Sequence, residues 1–111
     1  MPRPVILDSP HVDSRKGSFP SMADDWKPAK EGYMWWATEG CHNINRYLFG
    51  EDSPAAKDEG APEGAFVNEF PLSKYHELAE RLPPFYLLVC ELDCIRDSAL
   101  EFASKLFTAG V

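Results

Sequence analysis

Asp93 stands at the end of an apolar run: Phe85-Tyr86-Leu87-Leu88-Val89-Cys90-Glu91-Leu92 precedes it and Cys94-Ile95-Arg96-Asp97 follows. An acid at the carboxyl end of a strand sits where α/β sheets gather their reactive groups. Such a carboxylate can accept a hydrogen bond from an imidazole. It fixes the ring's tautomer and stabilises the imidazolium that forms when a nucleophile loses its proton. The same acid can instead cap the helix that follows or merely end the strand, because acids are common at helix starts. Asp97 lies near that helix's N-terminus, where its charge offsets the dipole, and reads as structural. Arg96 can pair with Asp97 or with a neighbouring loop; no chemistry is assigned to it.

The other reactive side chains are scattered. The histidines are His11, His42 and His76, and all three precede Asp93. His76 falls in a polar stretch and reads as solvent-facing. Cys41-His42 is a bare dipeptide, and Cys90 and Cys94 are four apart. A structural zinc needs four ligands at workable spacing, so neither pair makes a metal site. No metal and no cofactor is expected, and Cys90 reads as core. Ser14, Ser18 and Ser21 belong to a polar loop. Trp26, Tyr33, Trp35 and Trp36 could line a pocket, though aromatic stripes more often pack a helix against a sheet.

The elements that must position Asp93 are clearest at the end of the chain. Continuous apolarity from Phe85 to Leu92 predicts a strand covered on both faces, as in a parallel sheet. Ser98 and Glu101 have capping-box spacing, which predicts a helix opening at Ser98. Ala99, Phe102, Ala103 and Leu106 form its apolar face, with Leu100 and Phe107 beside it, and Gly110 ends it. A lone parallel strand needs a partner reached by a crossover. That partner lies outside the chain or is poorly visible within it.

Upstream the pattern is broken. Most of the ten prolines and seven glycines precede residue 85. Pro4–Leu7 reads as a brief strand. Residues 8–30 read as a surface connection with one helical turn near Met22–Trp26. Residues 30–49 read as a helix burying Tyr33, Trp36, Ala37, Cys41, Ile44, Tyr47 and Leu48, with Gly50 as its stop. Residues 51–72 read as a loop. Ser73–Leu82 reads as a short helix capped by Ser73 and ended by Pro83-Pro84. One small domain results, in which residues 1–82 connect and residues 83–111 form the strand-turn-helix that carries the acid.

Composition narrows the functional classes. Apolar residues make up 44% of the 111 residues, too many for a disordered chain. The formal charge of −7 disfavours nucleic acid and anionic membrane as partners. No stretch approaches a membrane span. Three cysteines argue against a disulfide scaffold and fit a reducing compartment. The start of the chain has no signal-peptide pattern, so cytoplasm is the expected location.

The ordered set Leu82-Pro83-Pro84, Glu91-Leu92-Asp93-Cys94-Ile95-Arg96-Asp97, Ala103, Leu106 and Ala109-Gly110-Val111 resembles the late part of an α/β-hydrolase. The nearest branch is the hormone-sensitive-lipase-like esterases, also called the alpha/beta hydrolase fold-3 group. There a Leu-Pro-Pro turn leads into a strand ending in Asp-Pro-Leu-Arg-Asp. Cys94 and Ile95 replace the proline and leucine. Asn45-Arg46-Tyr47-Leu48-Phe49-Gly50 is similar to that group's Trp-x-x-Tyr-Leu-Gly stretch, with Ile44 in place of the leading aromatic. Ser9-Pro10-His11-Val12-Asp13-Ser14-Arg15 is loosely similar to its Pro-x-x-Asp-x-Arg segment.

The resemblance implies an α/β class and a partial α/β-hydrolase fold, with Asp93 as the catalytic acid of a serine carboxylester hydrolase. It implies no cofactor, and a small ester, short-chain or aromatic, as substrate. Residues 1–111 contain no Gly-x-Ser-x-Gly elbow and no oxyanion-hole glycines. The group's histidine follows the next strand, past Gly110. A fragment that supplies the acid, with nucleophile and histidine elsewhere, is therefore one reading. A non-catalytic remnant or small interaction module is the alternative, and an unrelated small α/β domain is a third. The oligomeric state stays open.

Overall fold

The computed structural model describes residues 3–13, 19–22, 38–57, 61–62 and 64–111. Of the helical turn expected near Met22–Trp26 only Met22 is described, at the end of a 3-10 turn over Pro20–Met22. The rest of it, the helix over residues 30–37, and Ser14, Ser18, Trp26, Tyr33, Trp35, Trp36 and Ala37 lie outside the described residues. So do the side chains of Cys41 and His42.

Two short strands pair in parallel. β1 (Val5–Asp8) lies beside β2 (Phe85–Leu88), with Val5 opposite Phe85 and Asp8 opposite Leu88. The Val5 N–H donates to the Pro84 carbonyl at 2.9 Å and the Ser9 N–H to the Leu88 carbonyl at 2.9 Å. The brief strand at Pro4–Leu7 is thus the partner that β2 requires, and it lies within the chain.

β2 is shorter than Phe85–Leu92 and is not covered on both faces. Its residues alternate, with Phe85 and Leu87 turned to the core and Tyr86 and Leu88 exposed. Ile6 of β1 is 73% exposed on the same outer side. The described helices pack on one face only, so a run that reads as doubly buried carries one bare apolar face.

Three α-helices accompany the strands among the described residues. α1 (Thr38–Phe49) ends where Gly50 takes φ +92° and its N–H bonds the Arg46 carbonyl at 2.8 Å. Of its expected buried stripe, Ile44 is half-buried, Tyr47 and Leu48 are not buried, and the rest lies outside the described side chains. Tyr47 is 90% exposed and Leu48 is exposed, while Asn45 is the buried side chain. The helix packs on the turn Ala55–Lys57, where Asn45 Nδ2 donates to the Ala55 carbonyl at 3.4 Å.

α2 (Leu72–Leu78) opens after Pro71 rather than being capped by Ser73, and tightens into a 3-10 turn over Ala79–Arg81. Proline suits that position because its fixed φ matches a helix entry and its missing N–H costs no bond there. Pro83 and Pro84 follow the turn and lead into β2.

α3 (Arg96–Ala109) begins two residues before the expected N-cap Ser98. Ser98 is buried and its hydroxyl donates back to the Ile95 carbonyl at 2.9 Å, so no capping box forms. Glu101 turns instead to Lys105 and Asn68. At the other end Gly110 has φ +86°, and the Val111 N–H reaches the Leu106 carbonyl at 3.1 Å. Glycine accepts that left-handed conformation without a Cβ clash. Ala99, Phe102 and Leu106 are buried as expected, while Leu100 and Phe107 face solvent.

The core gathers Val12, Tyr75, Phe102 and Leu106, with Leu7, Leu82, Phe85 and Val111 packed around them. The Phe102 ring meets Phe85 edge-on at 5.8 Å and Tyr75 at 6.1 Å. A buried polar stitch joins the loop after β1 to α3. Asn68 Nδ2 donates to Asp13 at 2.8 Å and to Glu101 at 3.3 Å, and the Lys105 ammonium bonds the Asn68 and Phe70 carbonyls. Asp13 is fully buried, which an acid tolerates only with such donors. Among the described residues no helix is long and apolar enough to cross a membrane.

Candidate functional site

Parallel pairing sends both strands out at one edge of the sheet. Ser9 leaves β1 there, and Val89 to Asp93 leave β2. The chain then turns at once. The Asp93 N–H bonds the Cys90 carbonyl at 3.1 Å, and the Arg96 N–H bonds the Asp93 carbonyl at 3.1 Å. The Asp93 side chain completes the turn, its Oδ1 accepting the Ile95 N–H at 3.1 Å. An aspartate that bonds its own backbone two residues on is a stable turn former, and that satisfies one donor before α3. Asp93 is half-buried, and among the described residues nothing donates to its Oδ2.

Asp97 has no oxygen to spare. Its Oδ2 accepts the Ser21 N–H at 2.8 Å and its Oδ1 accepts Arg96 Nε at 2.8 Å. Ser21 is itself buried, donates to the Cys94 carbonyl at 2.8 Å, and receives the Asp97 N–H at 3.3 Å. Burial works to raise the Asp97 pKa. The hydrogen bonds from Arg96 and Ser21, with the Arg96 charge, outweigh it and hold the carboxyl below its ordinary value. Arg96 Nη1 also donates to the Glu91 carbonyl at 3.0 Å, which ties the turn to the helix. The structural reading of Asp97 stands, and Arg96 serves both alternatives expected of it.

Among the described residues the remaining candidates do not converge on Asp93. His11 stacks edge-on against Phe66 at 5.2 Å with its Nε2 3.5 Å from Asn45 Oδ1. Its Nδ1 is buried without a partner. Burial lowers its pKa against the opposing pull of Asn45, Asp13 and Glu69. His76 is exposed on α2, as expected. Among the described residues no histidine bonds Asp93, and no group of three His, Cys, Asp or Glu side chains gathers as a metal would require. Cys90 is exposed rather than core, whereas Cys94 is fully buried.

Two features escaped the sequence reading. Ser9, read only as a turn former, takes φ +43° at the end of β1, and its hydroxyl lies 4.0 Å from Cys90 Sγ. A serine rarely adopts that conformation, and no residue pattern announces it. Ser21, which the sequence places in a polar loop, holds the N-terminus of α3. That role depends on a contact across 76 positions, which local spacing cannot reveal. The sequence matches no family model, and no curated protein and no solved structure matches it.

Proposed function

We propose that this chain is the acid-bearing segment of a serine carboxylester hydrolase with an α/β-hydrolase fold, and that Asp93 is its triad acid. The observation that supports the reading is the contrast between two acids four positions apart. Asp97 spends both oxygens on structure, whereas Asp93 keeps one oxygen without a described donor at the carboxyl edge of a parallel strand pair. A triad acid needs that combination: one oxygen fixed by the backbone, the other open to an imidazole N–H. In this reading the histidine and the serine come from sequence beyond residues 1–111. The serine attacks the ester carbonyl, the histidine takes its proton, and Asp93 holds the ring and stabilises its charge. The substrate is a small ester, and no cofactor takes part.

Sequencing the native transcript across both ends of the segment tests this. An in-frame Gly-x-Ser-x-Gly upstream and a histidine after the next strand are expected; the absence of both overturns the reading. In the native-length protein, Asp93→Asn should lower kcat by about 10⁴, the loss that follows when a triad histidine loses its orienting acid. Unchanged kcat would assign Asp93 to the turn alone.

The bare outer face of the sheet, with Ile6 and Tyr86 exposed, favours a second reading as a non-catalytic module that docks elsewhere. Esterase turnover that disappears in Asp93→Asn excludes it.

A further inference from the structure

A cavity of about 380 Å³ lies under the inner face of the sheet. Leu7 and Phe85 wall it from the strands, Tyr75 and Leu78 from α2, and Phe102 and Leu106 from α3. It is about half open to solvent, a deep cleft rather than a sealed void, so a ligand can enter it without unfolding the walls. It falls within the range of small-molecule pockets, about 300–1,000 Å³. It is more than twice the about 150 Å³ that suffices to hold benzene in an apolar cavity.

The polar groups on the wall define what fits. The Tyr75 hydroxyl is committed to the Val67 carbonyl. The Lys74 ammonium is held by both Glu77 oxygens at 2.9 Å. His11, the third polar lining residue, is kept toward its neutral form by burial. No lining group offers an open charge, and a net charge of −7 repels anions further. None of the lining residues belongs to the Asp93 turn, so the site is independent of the esterase reading.

We propose that this cavity is a binding site for a neutral apolar small molecule, aromatic or alkyl, larger than benzene. Naphthalene is a suitable probe. Titrated into the wild-type chain, it should produce saturable amide shifts confined to the lining segments, Leu7–Val12, Val67–Phe85 and Phe102–Leu106, in proton–nitrogen NMR spectra. Leu78→Trp places a large ring in the cavity and should weaken binding at least about tenfold while the spectrum stays dispersed. Val67→Trp fills the cavity from an exposed position and decides the matter if the Leu78 variant does not fold. Tyr86→Trp, on the opposite face of the sheet, should leave binding unchanged. The proposal fails if no shift saturates, or if shifts centre on Ile6, Tyr86 and Leu88. It fails equally if both filled variants bind like wild type, or if the wild-type spectrum lacks dispersion, since a cavity with fixed walls then does not exist.

Discussion

Asp93 and Asp97 carry the same functional group, and their surroundings set them different tasks. Asp97 joins Ser21 to Arg96, so removing its charge leaves a buried N–H and a guanidinium less well held. Asp97→Asn should lower the unfolding free energy by about 1–3 kcal/mol, the range for hydrogen bonds to charged groups, read from urea midpoints at pH 7. The pH dependence follows from the lowered pKa. The stabilisation is fully present above the unfolded value of 3.8 and is lost as pH falls through the lower folded value. Urea midpoints of wild type should therefore fall below about pH 4 more steeply than those of Asp97→Asn. His11 carries the opposite charge type. Its folded pKa lies below 6.5, so the unfolded chain takes up a proton first as pH falls. Stability should drop as pH descends from 6.5 toward the folded value, and His11→Phe should flatten that slope.

At the scale of elements, α3 carries the most weight. Phe102 is 3% exposed and meets both Phe85 and Tyr75. Phe102→Ala should cost about 3–5 kcal/mol, enough to unfold a domain this small, as near-ultraviolet circular dichroism would show. Gly110→Ala strains a left-handed position and should cost about 1 kcal/mol, seen as a lower Tm. The same helix shows why part of the fold was legible. Its apolar face and its glycine stop follow from local spacing, and both are present. Its start is not local. The capping-box pattern Ser98–Glu101 was outcompeted by the Asp93 turn and by Asn68 and Lys105, which draw Glu101 away. In α1 periodicity misplaced Tyr47 and Leu48, which are exposed, while the neighbouring Asn45 meets the Ala55 carbonyl.

At the scale of the whole molecule, the acid at the end of β2 was legible because strand, turn and helix are contiguous. The partner of β2 was not, because strand pairing across the length of the chain leaves no local trace. Nor was the bare outer face, since periodicity in one strand does not say how many layers cover it. That face should tolerate change. Ile6→Thr should alter the unfolding free energy by less than about 0.5 kcal/mol, in contrast to Leu106→Ala at about 2–5 kcal/mol, both measured by urea denaturation.

The pairing of Val5 with Phe85 also sets a clock. The two residues are 80 positions apart, and among the described residues neither strand has another partner in the sheet. At about 5–20 residues per second, β1 is synthesised roughly 4–16 s before β2. Throughout that interval Val5, Ile6 and Leu7 have no ladder to join. The nascent chain therefore carries an adhesive apolar segment for seconds, and its yield in cells depends on whatever shields that segment until Phe85 emerges.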